Sequence, residues 1–289
     1  MTPVRGLRHP RIRRYGAAMS ARSNRRSRIV GSTAGAIVAL VAMLFGATAP
    51  ATAAQPDPIQ RYVALGDSYA AGQGAGIPLD ACLRSDAAYP VLLDAVPRIN
   101  LLRQPACSGA TISDVASTQL SQVNRGTTLV TLTVGGNDLG AGEVFAVCAP
   151  DPESFACATA VAEAQQLLAS GVIGQELGGL LLAIAERAPN ARIVVTDYPI
   201  PFVAGWSTLT DTVNAATAAL DAQIAAAATG AAGAGANVHY TSLTLAYLGH
   251  QVGDVDPWLG SDQFDALTFL HPTTTGQGVY RDAILVAIG

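Results

Sequence analysis

The sequence predicts an α/β fold: one parallel sheet with helices covering both of its faces. Two observations carry this. Short runs rich in Val, Thr and Leu alternate along the chain with longer Ala/Leu-rich segments, the pattern of strands joined by crossover helices. Two of these runs stop directly at polar, glycine-rich turns, Gly66-Asp67-Ser68 and Gly135-Gly136-Asn137-Asp138, and the carboxyl ends of parallel strands are where such sheets bind ligands. The chain has 289 residues, 50% of them hydrophobic, enough to bury a sizeable core.

Taken in order, residues 1–54 read as an export signal. Arg5 to Arg28 is basic and contains no acid, Ile29 to Phe45 is an uncharged apolar run, and Ala49-Pro50-Ala51-Thr52-Ala53-Ala54 supplies the small residues of a cleavage site. Asn24-Arg25-Arg26 also fits a twin-arginine signal. The rival, an uncleaved anchor, is disfavoured because the apolar run falls just short of the roughly 18 residues of a spanning helix. Residues 55–60, with Pro56 and Pro58, are expected to form a flexible start, and residues 61–289 a single domain.

Within that domain Tyr62–Leu65 reads as a buried strand, followed by a glycine-rich loop from Gly66 to Gly76. Thr128–Val134 is a second strand. Ala156–Arg187 is helical, bent or broken by Gly171, Gly174, Gly178 and Gly179 and ended by Pro189-Asn190. Arg192–Thr196 is a third strand, and Asp211–Ala228 an alanine-dense helix capped by Asp211 or Thr210. Thr229–Gly235 reads as a low-complexity turn and Val238–Thr241 as a fourth strand. Thr274, three residues before Gln277, has the spacing of a capping box opening a helix to Ile288.

The net charge of −4 averages a basic leader with a body that holds all of the acids. An acidic body without a basic patch argues against nucleic-acid binding. All four cysteines, Cys82, Cys107, Cys148 and Cys157, fall in the exported part, where disulfides are the expected state. Of the three pairings, Cys82–Cys107 with Cys148–Cys157 is favoured because each closes a short segment. No Cys-x-x-Cys or histidine cluster supports zinc.

Four short stretches carry candidate chemistry. Ser68 lies between a strand end and a helix start among small residues, as an activated serine requires; a helix cap is the plain alternative. Asn137, on a glycine-rich turn, offers a neutral amide to an oxyanion, or simply makes a turn. Gly109, in Cys107-Ser108-Gly109, could bring a backbone N–H to the same place, or merely flank a disulfide. Among the histidines beyond the leader, His239 falls in a strand and reads as packed core, and His250 falls in a loop as a candidate pocket residue. His271-Pro272 precedes the last helix, which makes His271 the best-placed base.

Together and in this order, Gly66-Asp67-Ser68-Tyr69, Gly109, Gly135-Gly136-Asn137-Asp138 and His271-Pro272 resemble blocks I, II, III and V of the SGNH (GDSL) hydrolases. Tyr247-Leu248-Gly249-His250 and Asp256-Pro257-Trp258-Leu259 are similar to stretches of its secreted actinobacterial esterases and lipases. The resemblance spans about Tyr62 to Ile288. It implies a flavodoxin-like three-layer α/β/α sandwich. It also implies Ser68 as nucleophile, His271 as base and then acid, and an oxyanion hole of the Ser68 and Gly109 N–H groups with the Asn137 amide. In many members an Asp stands three residues before the histidine; here that position is Thr268. The group orienting His271 is then either the Thr268 carbonyl, giving a Ser–His dyad, or Asp265 or Asp262 from a rearranged loop. Similar enzymes often carry a cysteine pair near His250, and its absence here implies a looser loop.

The expected function is secreted hydrolysis of carboxylic esters through an acyl-enzyme, with no metal or organic cofactor. The protein is expected to be a monomer making transient contact with lipid or the cell envelope. Ile77, Leu79, Phe202 and Trp206 hint at an apolar acyl site. A carbohydrate O-acetyl esterase, a phospholipase or a thioesterase would use the same residues. A non-catalytic envelope binding module and a flavin-binding protein are the remaining alternatives, the latter lacking a phosphate-cradling loop.

Overall fold

The computed structural model describes residues 58–289; the export signal and its cleavage motif lie outside the described residues. Five strands, β1 (Gln60–Gly66), β2 (Ile99–Arg103), β3 (Leu129–Thr133), β4 (Arg192–Thr196) and β5 (Val238–Thr241), pair in parallel in the order β2-β1-β3-β4-β5. Among the described residues, eight α-helical segments accompany them: α1 (Ser68–Ala71), α2 (Tyr89–Asp94), α3 (Ile112–Asp114), α4 (Ala141–Cys148), α5 (Phe155–Ser170), α6 (Val172–Arg187), α7 (Thr208–Gly233) and α8 (Thr274–Ile288).

Alternation along the strands builds a core on each face of the sheet. Val63 and Leu65 of β1 join Val130 and Leu132 of β3 against Leu177, Leu181 and Ile184 of α6 and Leu220 and Ile224 of α7. Tyr62 and Ala64 face the other way with Leu129 and Val194, against Tyr89 and Leu93 of α2 and Tyr280 and Ile284 of α8. Every residue of the central strand β3 is buried, which is why it reads as a continuous apolar run. Its polar members are satisfied internally: the hydroxyls of Thr131 and Tyr62 lie 2.6 Å apart, as do those of Thr133 and Thr196. The edge strand β2 has no counterpart among the predicted strands, because only Ile99 of its five residues is buried.

Several expectations are corrected. Gln60 belongs to β1 and donates its N–H to Arg98 at 2.7 Å, so the start is ordered by residue 60. The long helix is two helices bent by 54° at one glycine, Gly171, which adopts φ +68°; Gly174, Gly178 and Gly179 stay helical within α6. Ser207, not Thr210 or Asp211, caps α7, in a reciprocal pairing with Thr210, and the Ala/Gly stretch continues this helix to Gly233. Alanine is the best helix former, and this outweighs the glycines there. Thr273 caps α8, while Gln277 turns inward to accept from the Tyr89 N–H (2.8 Å) and donate to the Tyr69 carbonyl (3.1 Å).

The chain moves from β1 to one side to make β2, then crosses back to make β3 on the other. The loops leaving β1 and β3 therefore diverge and open a crevice at the carboxyl end of the sheet.

Candidate active site

β1 delivers Ser68 to that crevice through a turn set by backbone contact. Gly66 has φ +134°, and a Cβ there would lie 2.2 Å from the Thr133 carbonyl oxygen, so only glycine lets the chain leave β1 so close to β3. The buried Gln119 side chain bonds both the N–H and the carbonyl of Gly66, at 2.8 Å each. Asp67 caps α1 by accepting the Tyr69 N–H at 2.9 Å. The cap and the candidate nucleophile are thus adjacent residues, and Ser68, 7% exposed, is the first residue of the helix.

His271 arrives from the far end of the sequence, just ahead of α8. Its Nε2 lies 3.0 Å from the Ser68 hydroxyl oxygen, and its Nδ1 lies 3.0 Å from the Phe269 carbonyl oxygen. A proton on Nδ1 shared with that carbonyl leaves Nε2 unprotonated toward the serine. Burial holds the imidazole pKa down at about 4, so the ring is neutral at pH 7.

The orienting carbonyl is that of Phe269, which corrects the expectation for this position. The Thr268 carbonyl accepts the backbone N–H of His271 itself at 2.9 Å, closing a turn. Asp265 is occupied within the same loop, accepting from the Leu267 N–H (3.0 Å) and the Thr268 hydroxyl (2.7 Å). The Asp262 carboxylate accepts from the Phe264 N–H at 3.0 Å.

The turn after β3 supplies the facing side. Asn137 donates to the Ala110 carbonyl at 3.0 Å, and the Asp138 carboxylate accepts the Ile112 N–H at 3.0 and 3.1 Å. These bonds fasten the Gly109 loop to the Gly135–Asp138 turn. Gly109 is exposed, at φ +79°, and its N–H, like that of Ser68, makes no hydrogen bond among the described residues. Under the turn, the Tyr198 hydroxyl donates to Asp67 and accepts from the Gly136 N–H at 3.0 Å. Burial raises the Asp67 pKa to about 7 and that of Asp221, which accepts the Tyr198 N–H, to about 8.

Ser68, Asn137 and His271 open into a cavity of about 890 Å³. Its walls are mainly apolar: Leu139, Phe145, Pro201, Val213, Phe269 and Leu270. The predicted acyl residues are placed differently. Ile77, Leu79 and Trp206 are exposed, and Phe202 is buried behind the wall, 6.3 and 6.5 Å from the rings of Phe145 and Phe269. The true lining comes from segments far apart in sequence, and no local motif marks it. His250 does not line the cavity; it stacks on Trp258 with ring centroids 3.4 Å apart and bonds the Asp256 carbonyl at 2.8 Å. His239 is half-buried on β5 beside Asn237, not packed in the core.

The disulfides pair as expected, Cys82–Cys107 and Cys148–Cys157. The first holds the Gly109 loop to the segment after α1, reinforced by the Ser108 N–H to the Cys82 carbonyl at 3.0 Å. The second ties α4, a wall of the cavity, to α5.

This geometry coincides with sequence and structural likeness. The GDSL-like Lipase/Acylhydrolase family matches residues 64–279. The chain is 36% identical to Lipase 1 of Streptomyces coelicolor, covering 88% of this chain and 95% of that protein. It is 35% identical to a lipase of Streptomyces rimosus, covering 85% and 93%. Among solved structures, the extracellular lipase of Streptomyces rimosus matches with a TM-score of 0.70 at 32% identity, covering 79% of this chain and 99% of that one. Phospholipase A1 of Streptomyces albidoflavus matches with a TM-score of 0.72 at 31% identity, over the same shares of 79% and 99%. The chain therefore belongs to the GDSL-like lipase/acylhydrolase family, with the SGNH hydrolase fold, and is a carboxylic ester hydrolase.

Proposed function

We propose that this protein is a secreted lipase-type esterase that cleaves acyl esters with Ser68 as nucleophile and His271 as general base and acid. The observation that carries this is the Ser68 hydroxyl oxygen, 3.0 Å from His271 Nε2, at the edge of an apolar cavity of about 890 Å³. In the first step the Ser68 oxygen bonds the ester carbonyl carbon while His271 Nε2 takes the hydroxyl proton. The Ser68 and Gly109 N–H groups and the Asn137 amide stabilise the oxyanion. His271 returns the proton to the leaving alcohol, and the acyl group stays on Ser68. Water, deprotonated by His271, then releases the acid and regenerates the serine. The Phe269 carbonyl holds the ring's tautomer and direction, so the pair acts as a dyad.

The apolar walls favour an acyl chain over the acetyl group of a substituted sugar. A phospholipid with an acyl chain in the same cavity is the second reading, supported by the likeness to a phospholipase A1. Export is supported by the two disulfides, by the leader sequence and by a relative described as extracellular. The protein would act as a monomer touching lipid or envelope only transiently.

The test is hydrolysis of p-nitrophenyl acetate, butyrate, octanoate and palmitate, and of a diacyl phosphatidylcholine, beside Ser68→Ala. Activity rising beyond acetate and absent from the variant is expected. Equal rates from the two folded proteins would sink the assignment, and preference for the phospholipid would select the second reading.

A further inference from the structure

We infer that Gln73 is a positioning residue for ester hydrolysis, joining the three loops that carry Ser68, Gly109 and His271; the inference rests on the roles proposed for those residues. Gln73 follows α1 and is buried at 6% exposure. Its backbone N–H donates to the Ser68 carbonyl at 3.0 Å. Its side-chain nitrogen donates to the carbonyls of Leu267 (3.0 Å) and Ala266 (3.4 Å), in the loop that leads to His271. Its side-chain oxygen accepts from the hydroxyl of Ser108, the residue before Gly109.

The neighbouring residue tightens the same junction. Gly74 has φ +86°, and a Cβ there would lie 2.7 Å from the Cβ of His271. The turn after α1 is therefore packed directly against the histidine. Other bonds hold the near end of the His271 loop: the Tyr69 hydroxyl donates to the Leu270 carbonyl at 2.6 Å, and Gly260 exchanges bonds with His271 and Leu270, each at 2.9 Å. Gln73 holds the upstream part, Ala266–Leu267, from the nucleophile's own segment.

Only a primary amide fits these partners. It donates to two carbonyls and accepts from a hydroxyl at once. A carboxylate would face the carbonyl oxygens with no proton to give, and Asn is one methylene short. Methionine fills similar space and makes none of the bonds.

The experiment measures kcat, KM and the pH dependence of kcat/KM on p-nitrophenyl butyrate for the full mature chain. The variants are Gln73→Met, Gln73→Glu, Ser108→Ala, Ser108→Thr and the double variant Gln73→Met/Ser108→Ala, with thermal unfolding of each. Gln73→Met is expected to lower kcat by about 10- to 100-fold, the cost of a small misplacement of reacting groups, with KM within about twofold. Its acid limb is expected to move up in pH as water reaches His271. Ser108→Ala lowers kcat by about threefold, Ser108→Thr restores it, and the double variant is no worse than Gln73→Met, because the two act through one bond.

A Gln73→Met protein that is folded, with unchanged kcat and acid limb, overturns the inference. So does a loss that matches only the fraction unfolded. Should both Gln73 variants fail to fold, the Ser108 pair decides: a loss in Ser108→Ala recovered by Ser108→Thr supports the link, and parental kcat in both overturns it. Activity surviving in Ser68→Ala would instead locate the failure in the proposed nucleophile.

Discussion

The Ser68–His271 end of the cavity, the reacting end in the proposed mechanism, and its apolar wall are held by different forces. At the reacting end nearly every turn is fastened by a polar side chain to another turn: Gln119 to Gly66, Tyr198 to Asp67 and Gly136, Asp138 to Ile112. The wall formed by α4 buries only Cys148 of its own residues, and rests on one disulfide and on ring contacts of Phe145 with Phe202 and Phe269. Hydrogen bonds are directional and fix atoms to fractions of an ångström, while apolar packing is non-directional and tolerates substitution of similar volume. Under the proposed function, the difference places chemistry and chain-length preference in separable parts of the molecule.

Substitutions at the two ends should therefore produce different kinetic signatures. The largest effect belongs to His271→Ala, which should lower kcat on every ester, acetate to palmitate, by about 10⁴-fold or more, as measured against the parent at equal folded concentration. Next, Asn137→Ala should lower kcat by about 10²- to 10³-fold with little change in KM. A loss confined to KM would remove Asn137 from oxyanion stabilisation. Phe145→Ala should break the pattern the other way: kcat/KM for palmitate falls by about tenfold, the value of one lost apolar contact surface, while acetate stays within about twofold. A uniform loss across chain lengths would show that the wall also sets the chemistry.

Buried titrating groups at and beneath the reacting end have opposite consequences. His271, held at about 4 by burial, should keep kcat/KM level as the pH falls toward 5 and halve it near 4. Asp67 and Asp221 are raised from 3.8 to about 7 and about 8. In the folded state they keep protons that the unfolded chain has released, so their contribution to stability is full below about pH 4 and is lost as the pH rises through 7 and 8. The smallest expected effect is on that slope. Asp221→Asn keeps an acceptor for the Tyr198 N–H and should lessen the fall in Tm between pH 6 and 9 by about 3 °C. An unchanged slope would mean that Asp221 does not titrate in that range.

What was legible in the sequence follows the same division. Ser68, Asn137 and His271 each stand within two residues of a glycine or proline at a strand or helix end, and such turns leave local signatures. Strands buried on both faces were legible for the same reason, and β2 was missed because an edge strand lacks that pattern. The orienting carbonyl was misplaced by one residue because the Thr268 carbonyl is already taken by the His271 N–H, a detail of loop closure that residue identity does not encode. The apolar wall left no signature at all. Phe145 and Phe269 meet with ring centroids 5.5 Å apart, and each alone looks like any core aromatic. Gln73 was hidden for a related reason, since its meaning lies in Leu267 and Ser108, which only the fold brings to it.

The separation of 203 residues between Ser68 and His271 has a consequence for the life of the chain before it is complete. On the ribosome, the segment bearing Ser68 emerges long before the segment bearing His271. Under the proposed mechanism, a nascent chain carries a serine no more reactive than any other hydroxyl. Under the proposed mechanism, the esters of the cell that makes it are spared until the final helix has docked and His271 has been set beside Ser68.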